Sequence, residues 1–430
     1  MHKAILIILF LLSFQGRSQS YYFPPVTGQW DTVSPQSLGW CADSIQSLYS
    51  FLDTEQTKSF LLLKDGKIVL EKYFNGHDET TNWVWYSAGK SLRATLIGIA
   101  QGEGKLSIQD PTSQHLGNGW SSMSVQQEDS VLIYHHLSMT TGLNEQYFSC
   151  TDDSCLTYKH PVGSRWFYQN AAYNLTKDIL ESATGQNHNI YTQQKIKTPT
   201  GMNSGIWVKV GYNDFFFSRA RDMARFGILI ANKGNWDGNS VVPDTAFISD
   251  MLKPSQILNP SYGYLWWLNG QNSIIPPGDS VSYPVSLAPN APSDVVLAAG
   301  SQGQYISISK GTGLIMIRQG QSNSSSLNGS DLHNGIWKRI NGLNCNSTAI
   351  SEVALKNKVY PIPASNEINL PLHEFDGHAQ VEIYDSKGLL VMEGELETTV
   401  LSVSHLRNGF YILHMSNDDK EGALKISIQR

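Results

Sequence analysis

From Phe60 to Phe74 the chain reads FLLLKDGKIVLEKYF, two apolar runs on either side of Lys64-Asp65-Gly66-Lys67. Apolar runs joined across Asp-Gly predict a β-hairpin, because that dipeptide accepts the positive φ angles of a tight turn. Ahead of it, Ile45, Leu48 and Leu52 recur at helical spacing, which predicts a helix over Ala42–Leu52. A second helix is predicted from about Ser87: Leu92, Leu96, Ile99 and Ala100 keep the period until Gly102 and Gly104 end it. Asp110–Trp120 has no period and contains Pro, Gly and Ser, so it reads as a loop. From about Val131 to Arg225 the pattern is mostly helical. Ala171, Leu175, Ile179 and Leu180 lie on one helix face that stops at Gly185, and Ser218–Gly234 behaves in the same way. DVVLAAG, QYISISK and GLIMIRQG, between Asp294 and Gly320, are short β-rich runs broken by glycine. Strands at both ends with helices between them predict an α+β fold: one antiparallel sheet built from both chain ends around a large helical insertion.

The pattern changes near Asn344. Polar residues 346–358 read as a linker, and residues 359–430 as short alternating strands separated by turns such as Asp385-Ser386-Lys387-Gly388, a small all-β sandwich. At the other end, Met1-His2-Lys3, the apolar AILIILFLLSF and the polar QGRSQS have the order of a secretory signal peptide ending at Ser18. Its apolar run is shorter than the roughly 20 residues of a membrane span. The reading is therefore an exported chain with a main domain over residues 19–345.

Composition narrows the functional classes. Of 430 residues, 40% are hydrophobic and 16% charged, as in a globular protein. The net charge of -6, with no long basic run, argues against nucleic acid and anionic membranes as partners. Export lets disulfides persist. Cys150 and Cys155 flank a four-residue loop and are the natural local pair, which leaves Cys41 with Cys345. Four cysteines allow three pairings, and free thiols are a further alternative. There is no paired CxxC and no His cluster with ligand spacing, and the adjacent His135 and His136 would not face each other on a helix, so no metal or other cofactor is expected.

The candidate chemistry lies at the start of the second helix. Residues three apart on a helix are neighbours, which puts Lys90 beside the Ser87 hydroxyl. A serine nucleophile needs a base, and a lysine buried in a dry cleft loses proton affinity. The competing reading is that Ser87 is an N-cap. About two Ser-x-x-Lys matches are expected by chance in such a chain. Ser307-x-x-Lys310 is a second one, but in a strand pattern its two side chains point to opposite faces. Tyr168-Gln169-Asn170 stands just ahead of a helix: Tyr168 is a proton relay if a neighbouring cation draws its pKa down, and Asn170 a polar contact for lysine or substrate. In AAGSQGQYISI, Ala298–Ile308, a glycine-bounded approach to a strand lets a ligand lie along the backbone. Gly303 and the Gln304 N–H are the substrate-side candidates there, the latter as an oxyanion donor.

Together, Ser-x-x-Lys, Tyr-x-Asn and the glycine-rich approach to a strand, in this order, resemble the serine β-lactamase and penicillin-binding-protein superfamily. The class C-like branch, with its family VIII esterases and 6-aminohexanoate-oligomer hydrolases, is the nearest in pattern. YSAGKSLRATLIGIAQGEGKLSIQDP, HHLSMTTGL and ARDMARFGILIANKGNW support the resemblance, which spans roughly Trp40 to Gly320. It implies acylation of Ser87, proton transfer by Lys90 and Tyr168, an oxyanion hole from the backbone of Ser87 and Gln304, and support from Asn170. The substrate would be a small-molecule or peptide-like ester or amide. One departure bears on substrate: where relatives often have Lys-Thr-Gly or His-x-Gly, this chain has Ser301-Gln302-Gly303. The missing cation favours neutral esters or amides over β-lactams and D-alanyl peptides. An α/β-hydrolase is disfavoured because Trp85 stands where Gly-x-Ser-x-Gly requires glycine. A catalytically silent binding protein on the same fold is the non-enzyme alternative. The tail, with VYPIPASNEINL, VEIYDSKGLLV and SVSHLRNGFYILHMS, resembles a type IX secretion C-terminal sorting domain, the alternative being a generic adhesive or carbohydrate-binding module. The resemblance implies secretion machinery as a partner and passage through periplasm and outer membrane to the surface or beyond.

Overall fold

The structure is a computed structural model that describes residues 21–322, 330–345, 351–417 and 420–430. The signal peptide expected over residues 1–18, and the expected linker's residues 346–350, lie outside the described residues. The chain divides into two compact units, one ending at Leu343 and the other beginning at Asn344.

The first unit is built around the expected sheet. Helix α1 (Ala42–Thr54) precedes the hairpin of β1 (Thr57–Lys64) and β2 (Lys67–Tyr73). Its two-residue turn has φ of 51° at Asp65 and 88° at Gly66, the left-handed pair that Asp-Gly tolerates. After β3 (Trp83–Val84), α2 (Gly89–Gly102) and further helices come β4 (Ile206–Val210), β5 (Asn213–Ser218), the short pair β6 and β7 (Asn235–Trp236, Asn239–Ser240) and β8 (Trp267–Leu268). Strands β9 (Val296–Gly300), β10 (Gln304–Ser309) and β11 (Leu314–Gly320) then complete a six-stranded sheet in the order β2-β1-β11-β10-β9-β8. Its pairs are antiparallel, and β1 meets β11 from Ser59↔Gln319 to Lys64↔Leu314, so the two chain ends join in its middle. Both faces are covered. On one, helix Ala220–Ala231 comes so close that a Cβ on Gly227 would stand 2.8 Å from Ile315. On the other, Ser307 is hydrogen-bonded to His333 and Trp337 of helix Ser330–Asn341.

Two expectations need correction. Within the Asp110–Trp120 stretch, Thr112–Leu116 forms a short helix, stabilised by the buried Thr112 hydroxyl on His136 Nε2 at 2.8 Å. The helical stretch is also interrupted: β4 and β5 form a hairpin that joins β3 in a three-stranded sheet, β3-β5-β4. Trp207 and Phe216 are buried there while Phe215 and Phe217 are half-buried. The period is thus two in burial, though the run of three phenylalanines hides it in hydropathy. Cys150 and Cys155 are joined in a local disulfide, and no cysteine is a free thiol.

The second unit is all β. A five-stranded sheet, β12-β18-β17-β14-β15, comprises Ser351–Glu352, Lys420–Ile428, Gly409–Ser416, Ala379–Asp385 and Leu390–Leu396 in that order, and β13 (Glu367–Asn369) pairs with β16 (Val400–Ser402). Alternate residues such as Val381, Ile383, Leu413, Met415, Ile426 and Ile428 turn inward with Phe375, the half-buried strand pattern its sequence shows.

Candidate active site

Ser87 occupies a one-turn 3-10 segment, Tyr86–Ala88, that leads into α2. The turn is fixed from behind by Trp85, which is fully buried, donates Nε1–H to Ser218 Oγ at 2.8 Å and packs edge-on to Phe216. Tyr86 has φ of 46°. A non-glycine residue in that region costs on the order of 1 kcal/mol and persists only where the surroundings impose it. Ser87 does not cap α2: the capping position is Ala88, and no side chain caps that end. Its half-buried hydroxyl is therefore free for other work.

From Gly89 to Ala100 every residue of α2 is buried, Lys90 included. A helix buried all round is the central element of its layer, so its polar side chains must be satisfied inside. Lys90 Nζ donates to Ser87 Oγ at 3.2 Å and lies 4.3 Å from the centre of the Tyr173 ring and 5.3 Å from that of Tyr168. Burial lowers its pKa from 10.5 to about 7, because desolvation penalises the ammonium form. A neutral amine beside a hydroxyl is a competent base at ordinary pH.

Tyr168 is buried and hydrogen-bonded to Ser87, but its phenol titrates in the opposite direction from the one anticipated. Burial pushes it well above 10, and the Ser87 hydroxyl only partly opposes that. The Lys90 ammonium that was to draw it down is itself disfavoured. Tyr168 therefore stays a neutral hydroxyl, a donor or relay rather than a phenolate base. Trp267 stacks on its ring at 6.0 Å and Tyr262 packs edge-on at 6.2 Å. Trp266, by contrast, is fully buried and stacks on Phe226, so the paired tryptophans divide between site wall and core. Asn170 opens the helix Asn170–Thr184, and its buried Oδ1 has no hydrogen-bond partner among the described residues. An orphaned acceptor two residues from Tyr168 is available to a substrate or to Lys90.

The strand residues fall differently from expectation. Asn269 N–H donates to Val295 O at 2.9 Å, and β8 begins at Trp267, opposite Leu297. Backbone groups alternate along a strand. Those of Val295, Leu297, Ala299 and Ser301 thus face the β8 side, and the last two lie beyond its end. Gln304 stands opposite Gly300 and its backbone points into the hairpin. Its buried side chain is spent as well, donating to Ser301 O at 3.0 Å and Gly320 O at 2.7 Å. The structure thus places Gln304 near the Ser87 turn, its Cβ 3.1 Å from where a Cβ on Gly300 would stand, but with its backbone turned into the hairpin, and it places Gly303, at φ of 76°, against Arg318 and Leu332. It brings Gly300 against that turn, where a Cβ would stand 2.1 Å from Trp85 O and 3.1 Å from Ala88 N, and it leaves the next N–H, that of Ser301, without a backbone acceptor among the described residues. Gly300→Ala should therefore displace the Ser87 turn and cost about 2 kcal/mol, read as a fall in thermal unfolding temperature together with loss of turnover. Gly394→Ala, in open space, should change little.

Sequence reasoning missed Tyr173 and Ser301. Tyr173 follows Asn170 by one helical turn, a spacing that would have put it on the same face. Ser301 required the register.

The chain also matches known protein families. Residues 56–325 match the protein family described as Beta-lactamase, and residues 358–429 match the secretion system C-terminal sorting domain. Among solved structures, the chain is similar to a Bacillus anthracis protein assigned as a 6-aminohexanoate-dimer hydrolase, at 16% identity and a TM-score of 0.57, over 74% of this chain and 89% of that one. It is similar to a penicillin-binding protein homologue of Caulobacter crescentus at 14% identity and a TM-score of 0.54, over 71% and 98%. It is also similar to the octameric penicillin-binding protein homologue of Pyrococcus abyssi at 15% identity and a TM-score of 0.53, over 90% and 96%. At these identities the likeness carries the fold alone. The family match spans more than half of the residues, and on that ground the chain belongs to the beta-lactamase family.

Proposed function

We propose that the protein is an exported serine hydrolase that cleaves an uncharged ester or amide through an acyl-enzyme on Ser87. The observation that carries this reading is the buried amine of Lys90, lowered to about 7 by desolvation and 3.2 Å from the Ser87 hydroxyl. In the first half-reaction Ser87 Oγ bonds to the substrate carbonyl carbon while its proton passes to Lys90 Nζ. The carbonyl oxygen takes the negative charge and is met by the N–H groups of Ser87 and Ser301, in place of Gln304. The carbon–leaving-group bond then breaks, and the leaving atom receives the proton from Lys90 through the neutral hydroxyl of Tyr168. In the second half, water adds to the acyl carbon and gives a proton to Lys90 through Tyr168; the acyl carbon–Oγ bond then breaks, Ser87 Oγ takes up that proton, and the acid product leaves. Asn170 Oδ1 supplies an acceptor for a substrate N–H or O–H. The C-terminal sorting domain directs the chain to the cell surface or the extracellular space.

Substrate charge follows from the end of β9. Neither Ala298-Ala299-Gly300 nor Ser301-Gln302-Gly303 offers a cation. Arg318, close by, is buried and donates to Gln302 O and Gly303 O at 3.0 and 2.7 Å, to Glu55 O at 2.7 Å and to Thr57 Oγ1 at 3.0 Å. A carboxylate beside the scissile bond therefore has no partner at this strand end. In a panel, neutral short-chain esters should exceed penicillins and D-alanyl-D-alanine peptides in kcat/KM by about 100-fold or more, the worth of a missing charge-assisted contact. Equal or faster turnover of the carboxylate substrates would overturn the preference for neutral ones.

A further inference from the structure

The three-stranded sheet β3-β5-β4 leaves one face bare beside the site. On β4, Ile206, Val208 and Val210 are 52%, 40% and 53% exposed. Their partners across β5 are Phe217, Phe215 and Asn213, and Val84 of β3 lies opposite Phe217. These positions share one face by the two-residue alternation of strands, and none is charged. The face is continuous with the site at both ends. Phe215 packs edge-on to Tyr86, the residue before Ser87, at 5.5 Å. From the far end of β4, Tyr212 hydrogen-bonds Asp152 in the loop that exposes Tyr147 and Phe148, and Phe148 O accepts from the N–H of Ala171, next to Asn170, at 2.9 Å. Exposed apolar residues thus stand on both sides of the site, joined at the far end through the Tyr212–Asp152 hydrogen bond.

The edge of the same sheet is covered at Gly205 and Trp207. Asn189 holds both backbone groups of Trp207, accepting from its N–H at 2.8 Å and donating to its O at 3.2 Å, and Lys197 donates to Gly205 O at 2.8 Å. Blocking strand addition while leaving the face bare selects against pairing with another chain's strand. The net charge of -6 opposes attraction to anionic lipid. Exposed contiguous apolar surface marks a binding site, and here its continuity with Ser87 identifies the occupant.

We infer that the β3-β5-β4 face seats the apolar part of the substrate, so that the Ser87 site acts on water-insoluble neutral esters with long acyl groups. This rests on the hydrolase reading. The test uses the full mature chain and the variant Ile206→Ser/Val208→Ser/Val210→Ser, whose changes are all exposed and whose folding is checked by thermal unfolding. The kcat/KM ratio of p-nitrophenyl laurate to p-nitrophenyl acetate should fall at least 10-fold in the variant. Independently of catalysis, protein carrying Ser87→Ala should co-float with trioctanoin droplets and lose this when the three serines are added. If the wild type cleaves the acetate ester but neither favours laurate nor binds droplets, the inference is overturned while the hydrolase reading stands. If droplets are bound but no ester is turned over, the hydrolase reading fails and takes the substrate assignment with it. Equal flotation with anionic phosphatidylglycerol vesicles, or a dimer that the three serines dissociate, also overturns the inference, in favour of a membrane or a second copy as occupant.

Discussion

Ser87→Ala is expected to lower kcat/KM by about four orders of magnitude or more, the scale seen when a covalent nucleophile is removed. Labelling by a fluorophosphonate probe should disappear with it. The effect should be this large because the other groups act only through Ser87. The Lys90 amine points at its oxygen, Tyr168 hydrogen-bonds to it, and Gly300 has no side chain so that β9 can approach its turn. Alanine leaves the turn intact, since Ser87 caps nothing, so the loss cannot be charged to unfolding. Ser307 is the internal control. It is fully buried in β10 and its Oγ accepts from Trp337 Nε1 at 3.1 Å and lies 2.9 Å from His333 Nε2. Ser307→Ala should destabilise the protein by about 1 kcal/mol and leave labelling in place. Labelling that survives Ser87→Ala would sink the assignment.

What the sequence made legible was local. Asp65-Gly66 announces its turn because few dipeptides accept two left-handed residues, and Ser87 with Lys90 is readable because helical spacing alone makes them neighbours. The sheet from both chain ends followed from where the β-rich runs stand. The rest depended on relations between distant segments. Gln304 and Ser301 are three residues apart, yet the hairpin register turns one backbone inward and leaves the other beyond the end of β8. A slip of one residue reverses the side, and no composition or period records it. The direction of the Tyr168 titration depended on whether burial or a neighbouring cation dominates, and burial is set by Trp267, Tyr262 and Trp166, about a hundred residues away or two residues back. Gly300 is readable as part of a glycine-bounded approach to a strand, but the close approach to Trp85 that gives it a steric reason is not.

Lys90→Met should lower kcat/KM by about three orders of magnitude or more, as the general base is lost, and at the same time make the protein more stable. The second effect follows from the pKa. In the folded protein Lys90 titrates at about 7 rather than 10.5. Between those values the unfolded chain holds a proton that the folded one does not, so stability rises with pH through that window. Below about 7 both states carry the proton, and the folded state bears the full cost of a buried ammonium, on the order of 5 kcal/mol for a shift of this size. Methionine fills a similar volume without charge. Its stabilisation should be largest at pH 6 to 7 and shrink as pH rises towards 10, read from unfolding temperatures across that range. Wild-type kcat/KM should climb with pH through about 7 and level off above it, because only the neutral amine can take the Ser87 proton. Lys90→Arg, charged throughout, should lose activity without gaining stability. A stable, inactive methionine variant beside an inactive but unstabilised arginine variant would show that Lys90 is kept, at a cost to stability, as a base. A methionine variant that is destabilised at every pH, or a wild-type profile flat through 7, would instead place Lys90 in a structural role.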